Sequence, residues 1–532
     1  MSHAKYHDYV VIGAGPAGLQ LAYYLQRAGR DFAVLEAGPQ AGHFFTQYPR
    51  HRKLISVNKV YTGSQDAEMN LRWDWNSLLN DEAPEPLLFK DFSKDYFPHA
   101  DTMPAYLNAF RARYALPVMF DSAVQRVEWH GEHYHVFTSQ GELRCRVLVV
   151  ATGVPRTYLP ALPGIELAEP YSAVSVDAQQ FCDQRVLIVG KGNSAFETAD
   201  HLVGTAAMIH VASPNPLRMA WATHFVGDLR AVNNNLLDTY QLKSQNAVID
   251  ARILGIERDG QRYAVTFEYA HAQGEIERIV YDRVIACTGF AFDPAPYAQC
   301  LPQTCINGRF PSQSAEWESV NQRNMFFAGT LMQMRDFKKQ MSGFVHGFRY
   351  NVRTLHRLLE ERFHDQPYPS QPVECSARGL AQAILARVNR SSALWQQPAF
   401  LCDAIVLERS AGVARQFPEL SFDLAALRHA QDEYLTVSLE YGSRKFADPF
   451  GVARIARDNS AQAQDSNFLH PVIRHYLAGA LHSEHHIVED LAAEWVEPEH
   501  TEPLQRYLDA LFEPAPGALG QAAASDLVEA AK

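Results

Sequence analysis

The chain has few of the features that usually advertise a role. It has no close cysteine pair: seven cysteines stand at 145, 182, 287, 300, 305, 375 and 402 of 532 residues, and the nearest two, Cys300 and Cys305, lie late in the sequence. That scatter excludes a disulfide framework and points to a reducing, cytoplasmic setting. No apolar run reaches the length of a membrane helix, and the opening Met1-Ser-His-Ala-Lys-Tyr-His-Asp8 carries no apolar signal segment. An excess of positive charge is missing too. The formal charge of −12 argues against nucleic acid and anionic membrane as general partners.

What is present is ordinary globular composition, 47% hydrophobic and 20% charged, in a chain too long for one core. Against that background two glycine-rich segments stand out. In the first, an apolar strand runs into Gly13, Gly15, Pro16, Ala17 and Gly18, and an amphipathic helix (Leu19, Leu21, Ala22, Leu25) follows and stops at Gly29. Gly13 permits the tight turn, Gly15 a close backbone approach to pyrophosphate, and Gly18 packing of helix on strand. The free N–H groups of the helix start suit a phosphate. A second strand, Phe32-Ala-Val-Leu-Glu36, places a carboxylate eighteen residues after Gly18, near the spacing expected of an acid that holds ribose hydroxyls.

The second segment, Arg185-Val-Leu-Ile-Val-Gly-Lys-Gly-Asn-Ser-Ala195, offers Gly190, Gly192, Asn193, Ser194 and Ala195 to a second dinucleotide. The strand expected to end in a ribose acid, Met208-Ile-His-Val-Ala-Ser213, ends in Ser213 instead. Absence of an acid favours NADPH over NADH, with Arg218, and after it Arg230, as partners for a 2′-phosphate. Two dinucleotides in one chain imply electron transfer between them.

Two further apolar strands end in Thr-Gly, at Leu148-Val-Val-Ala-Thr-Gly153 and Val284-Ile-Ala-Cys-Thr-Gly289, and Asn324-Met-Phe-Phe-Ala-Gly-Thr330 follows. This order, together with the Gly190 to Glu197 motif and the missing dithiol, resembles the flavin-containing monooxygenase superfamily. Longer strings extend the likeness over residues 8–495 to the FAD-dependent oxidoreductase-domain proteins of the animal endoplasmic reticulum. They include Tyr48-Pro-Arg-His-Arg-Lys-Leu-Ile-Ser56, Trp221-Ala-Thr-His224, Val226-Gly-Asp-Leu-Arg230, Leu237-Asp-Thr-Tyr-Gln-Leu-Lys-Ser244, Gly347-Phe-Arg-Tyr350 and Ser466-Asn-Phe-Leu-His-Pro-Val-Ile473. With no leader and a terminal Glu529-Ala-Ala-Lys532, the luminal role of that branch is not expected to transfer.

The resemblance implies an α/β chain in which an FAD-binding Rossmann-like domain (1–158, with an insertion at 40–105, and 286–365) holds an inserted NADPH-binding one (159–285). A mainly helical C-terminal region (366–516) and a flexible tail (517–532) are expected to follow. FAD is expected at Gly13, Gly15, Pro16, Ala17, Gly18, Glu36, Val124, Thr152, Gly329, Thr330 and Gly343. Thr330 replaces the family's aspartate.

The activity implied is oxygenation of a small organic molecule by molecular oxygen through a flavin C4a-hydroperoxide, or halogenation, in the manner of secondary metabolism. An NADPH oxidase that oxygenates nothing and a flavin-stabilised partner-binding protein are the alternatives. Val57-Asn58 is the nearest match to the family's Thr-Asn pair, which makes Asn58 the expected donor to oxygen or flavin, with Lys59 adding positive charge. Trp73 and Trp75 fall on one face of an extended segment that can wall a pocket. The helix start after Ser342-Gly343 is expected to face the flavin, beside Lys338 and Lys339. His482, His485 and His486 are read as packing groups, and no metal is expected.

Overall fold

The computed structural model describes residues 5–80, 83–241, 245–443 and 448–513. Residues 242–244 of the 237–244 string and the expected tail from 517 onward lie outside them. The chain divides into two compact units, 1–365 and 366–532.

The first unit holds two parallel-cored sheets, the second inserted into the first. In the first sheet, Lys5–Ile12 lies between Phe32–Leu35 and Gly141–Val150, with Val118–Met119 and Met325–Phe327 also parallel. Tyr134–Thr138 and Val124–Trp129 extend it antiparallel. The register runs Ile12 beside Leu35 and Val150, so three strands end together at one edge. These strands are near-continuous Val, Ile and Leu because helices or loops bury both their faces. The helix Pro16–Arg27 begins at that edge and is buried on all sides from Ala17 to Leu25, Gln20 and the two tyrosines included, rather than along the one stripe of Leu19, Leu21, Ala22 and Leu25. A long helix, Val345–His364, packs alongside it, and Arg30 pairs there with Glu360.

The second sheet repeats the plan between residues 169 and 286. Arg185–Val189 lies between Met208–Ser213 and Arg283–Ala286, all parallel. Glu169–Pro170 adds to Arg283–Ala286 in parallel, and Ala247–Asp259, Arg262–Tyr269 and Ile276–Tyr281 complete the sheet on the other side, the last two pairings antiparallel. Helix Asn193–Leu202 follows strand Arg185–Val189. The fold class is therefore α/β with two dinucleotide-binding folds.

The second unit corrects the expectation of a mainly helical region. Among its described residues, helices stand at Ala377–Arg390, Ser392–Gln396, Phe422–Arg428 and Pro498–Phe512, but they accompany a six-stranded antiparallel sheet. Its order is Gln371–Glu374, Val413–Ser421, Leu401–Glu408, Glu433–Glu440, His470–Leu477 and Ala480–His486. Apart from Glu433–Glu440, these strands hide their period. Leu401–Glu408 is buried almost throughout, Val413–Ser421 and His470–Leu477 contain prolines, and Ala480–His486 is polar. One face of the sheet packs Ile405, Leu435, Val437 and Ile473 against Leu380, Ile384, Leu504 and Leu508 of the helices.

Ile473 is fully buried in that layer. Replacing it by alanine is expected to lower stability by about 2–5 kcal/mol in urea unfolding of the full chain, because cavity formation adds to the lost transfer energy.

Candidate functional site

Both glycine fingerprints open on one cavity of about 1440 Å³ whose lining residues run from Ile12 to Phe348. Their backbones are built alike. Gly13 has φ +108°, and a Cβ there would lie 2.7 Å from the carbonyl oxygen of Ala151; Gly190 has φ +122°, and a Cβ would lie 2.2 Å from that of Cys287. In each case the obstructing carbonyl belongs to the residue just before a Thr-Gly strand end. Gly18 is barred from a side chain because its Cβ would meet the Gly13 carbonyl at 1.9 Å. Gly15 and Gly192, by contrast, have nothing within 4 Å of a Cβ and line the cavity. Both cap a helix in extended conformation with no side chain bonding the first-turn N–H groups. A phosphate therefore finds open backbone, free donors and a positive helix end at two places.

Around the first fingerprint the cavity is lined by Pro16, Ala17, Glu36, Val124, Thr152, Gly329, Thr330 and Gly343. The Glu36 carboxylate accepts N–H bonds from Ala14 (2.8 Å) and Gly38 (2.9 Å), which fix it across the glycine turn. Thr330 donates its hydroxyl to the Gly343 carbonyl at 3.2 Å, tying the strand end to the start of helix Val345–His364. Gly18 and Ala195 do not line the cavity; they are the contacts of helix against strand.

Around the second fingerprint, Asn193, Ser194, Ser213 and Arg218 line the cavity. Asn193 donates its amide to the carbonyls of Gly227 (3.3 Å) and Asp228 (2.8 Å) and accepts from the Arg230 N–H (3.0 Å), so it holds the 225–230 loop over the helix start. Arg218 pairs with Asp228 at 3.1 Å and is about half exposed. The acid missing at Ser213 reappears one strand over: Asp250 is the register partner of Ser213. It is paired with Lys191 of the fingerprint itself and with His271. Burial pushes the Asp250 carboxyl up, but bonds from Lys191 and His271 outweigh it and hold it below its ordinary value. Sheet register, invisible in the sequence, places this acid, but Asp250 does not line the cavity and is engaged by Lys191 and His271, so it does not take the place of a ribose acid at Ser213.

The structure does not bring Asn58 or Lys59 to the cavity. Asn58 is buried, and its amide donates to the carbonyls of Ser93 (2.9 Å) and Asp95 (3.1 Å), so both N–H groups are engaged in holding the insertion together. Lys59 lies over the Trp73 ring, 5.5 Å from its centre. The two tryptophans divide likewise: Trp75 lines the cavity and Trp73 does not. Residues that sequence reasoning passed over take the place, namely Ile55, Ser56, Phe225, Phe344 and His346. Lys338 reaches the lining; Lys339 does not. The C-terminal histidines stack, His485 on Tyr507 and His482 on His475, while His486 meets His470 at 2.9 Å. Among the described residues no cluster is arranged to hold a metal ion.

Behind the second fingerprint, Glu197 accepts the Tyr171 hydroxyl, which in turn accepts the Arg50 N–H at 3.1 Å. Tyr48 stacks on Tyr171, so the Tyr48 to Ser56 string docks the insertion on helix Asn193–Leu202.

With this geometry in place the class of protein is defined. The profile of the pyridine nucleotide-disulphide oxidoreductase family matches residues 10–329, and the chain belongs to that family. It is a flavin-dependent oxidoreductase of a pyridine-nucleotide family, related to FAD-dependent proteins. The chain is 39% identical to FAD-dependent oxidoreductase domain-containing protein 2 of Mus musculus, over 95% of this chain and 84% of that one. The same protein of Danio rerio is 38% identical over 94% and 83%. A flavin-containing monooxygenase from Stenotrophomonas maltophilia superposes with a TM-score of 0.52 at 22% identity, covering 67% of this chain and 98% of that one. A bacillithiol disulfide reductase from Staphylococcus aureus reaches 0.50 at 18%, covering 67% and 99%. The last two share the fold.

Burial pushes the Glu197 carboxyl up to about 7, against an opposing pull from the Tyr171 hydrogen bond. A carboxyl protonated more readily in the folded chain stabilises fully below its ordinary value of 4.5, and that stabilisation is lost as pH rises to about 7. Glu197→Gln is expected to gain stability relative to wild type across this window. Denaturant unfolding of both proteins at several pH values measures the difference, in which Asp336, also raised to about 7, cancels.

Proposed function

We propose that the protein is a single-component, NADPH-consuming flavin monooxygenase that oxygenates a small organic molecule with molecular oxygen. One observation carries the reading: a single cavity joins both fingerprints and contains no thiol pair. Of the seven cysteines, all unpaired, only Cys287 lines it, and burial raises that thiol's pKa. A relay of electrons to a disulfide needs an accessible thiolate. The acceptor here is a diffusible molecule.

In this reading FAD lies along Gly13, Gly15, Pro16, Ala17, Glu36, Val124, Thr152, Gly329, Thr330 and Gly343. NADPH lies along Gly190, Gly192, Asn193, Ser194, Ser213 and Arg218. Bound FAD supplies a hydride acceptor that, once reduced, hands electrons to oxygen. The chain's part is to hold both nucleotides by open backbone and to keep water from the reacting end. Trp75, Phe344 and His346 exclude the water. His346 stacks on Trp75 at 4.3 Å and is buried, and burial together with Arg349 and Arg230 keeps its imidazole neutral. The unpaired cysteines support a reducing, cytoplasmic setting. No helix among the described residues is long and apolar enough to cross a membrane.

An NADPH oxidase that releases hydrogen peroxide is the second reading, favoured by Asn58, whose amide is already engaged by backbone carbonyls.

Stopped-flow absorbance after mixing the NADPH-reduced enzyme with oxygen separates the two. Oxygenation requires a transient spectrum, distinct from oxidised and reduced flavin, that persists for seconds. Direct return to oxidised flavin with one equivalent of peroxide sinks it in favour of the oxidase.

For Arg218, exchange of its Asp228 partner for a 2′-phosphate predicts that Arg218→Gln raises the KM for NADPH roughly tenfold, about one charge-assisted pair, and leaves that for NADH near wild type. Steady-state kinetics with both nucleotides read this directly.

A further inference from the structure

One stretch of the cavity wall combines stacked rings with a cation that has no counter-ion among the described residues. Trp75 and His346 stack at 4.3 Å with 26° between planes, His346 and Phe344 at 5.8 Å and 12°, and Phe225 lies 5.9 Å from Phe344. The Arg230 guanidinium sits 5.2 Å above the Trp75 ring and gives one N–H to the Ile55 carbonyl at 3.0 Å. No described carboxylate pairs with it. The acid of its own loop, Asp228, is already bonded to Arg218 and to the Thr223 hydroxyl at 2.8 Å.

Arg230 is a costly place for an idle charge. Its backbone is fixed by Asn193 (3.0 Å), and its side chain crosses from the second fingerprint's loop to Ile55 and Trp75 of the insertion. Burial removes much of its hydration, which lowers its pKa. A guanidinium held over an indole and fastened on one side presents its remaining N–H groups as a planar fork, the geometry that binds a carboxylate in two bonds. Parallel rings beside the fork suit a flat ligand, which stacks without losing internal freedom. The partner is then both flat and anionic.

We propose that Arg230, Trp75, Phe344 and His346 form the acceptor-substrate subsite, and that the substrate is a planar aromatic or conjugated carboxylic acid whose carboxylate pairs with Arg230. This rests on the reading that a small organic molecule enters the cavity. It assigns Arg230 to the substrate rather than to the 2′-phosphate of NADPH.

Binding to the oxidised, FAD-loaded enzyme tests it without turnover, so that an error in the reaction class leaves the result intact. Flavin absorbance is titrated with cinnamate and with cinnamamide, which has the same shape and no charge. Cinnamate is expected to bind at least about tenfold more tightly, the worth of one charge-assisted pair. Arg230→Gln is expected to bring the two affinities together, whereas Arg230→Lys keeps part of the gap because it keeps the charge but not the fork. Equal affinities in wild type overturn the proposal with no variant needed. So does a gap that survives Arg230→Gln. A rise in KM for NADPH but not for NADH in Arg230→Gln overturns it as well, by returning Arg230 to the dinucleotide phosphate.

Discussion

Backbone proximity at two turns is the constraint on which the site depends. The carbonyl oxygens of Ala151 and Cys287 stand where a side chain on Gly13 or Gly190 would go, and both glycines also adopt the positive φ that their turns require. The close approach brings each Thr-Gly strand end, at Thr152 and Thr288, to the rim of the fingerprint that precedes it. With the strand ends so near, the two helices start directly over the cavity, uncapped by any side chain. Gly15 and Gly192 then leave the backbone bare where phosphate must come closest. Hydrophobic burial folds the sheets, but steric exclusion at these turns decides that the folded sheets offer two nucleotide cradles.

Features set by such local sterics were legible in the sequence. Gly13, Gly15, Gly18, Gly190 and Gly192 are required by the path of a short segment, so spacing alone exposes them. Glu36 followed from its distance along the chain. Where a side chain's role depends on what other segments bring to it, the sequence was silent. Asn58 has the right amide at about the right place, yet Ser93 and Asp95 carbonyls claim it, and Ile55, Ser56 and Trp75 face the cavity instead. Ser213 lacks an acid, but parallel register sets Asp250 beside it. The C-terminal sheet was hidden for a related reason: strands covered by helices read as plain apolar runs, and strands with proline or histidine read as loops.

The family takes its name from disulfide chemistry, and among the described residues Cys287 is the cysteine that lines the cavity. Cys287 obstructs Gly190 only through its backbone carbonyl; its Sγ points to the Ser194 carbonyl at 3.8 Å and is buried. Burial also raises the thiols of Cys145, Cys300 and Cys402. Such cysteines pack as small apolar residues. The fold shared with both a monooxygenase and a disulfide reductase therefore leaves the acceptor to be decided by side chains, and those around the cavity are aromatic and cationic rather than thiol.

Charge pairing sorts those cations by what they are free to do. Lys191 is committed to Asp250, its side chain 5% exposed, and so serves the frame of the second cradle. Arg218 is 52% exposed at the cavity rim, and its partner Asp228, 11% exposed, also accepts the Thr223 hydroxyl and so keeps a donor if Arg218 turns to a phosphate. Arg230 has given up hydration without gaining an acid from the described residues. In that low-dielectric wall an arriving carboxylate meets a stronger field than it would at Arg218, and it has no protein carboxylate to displace when it binds. The sequence ranked Arg218 and Arg230 as two candidates for one phosphate. In the proposed assignment their surroundings separate them, Arg218 at the open rim for the phosphate and Arg230 among the rings for a carboxylate.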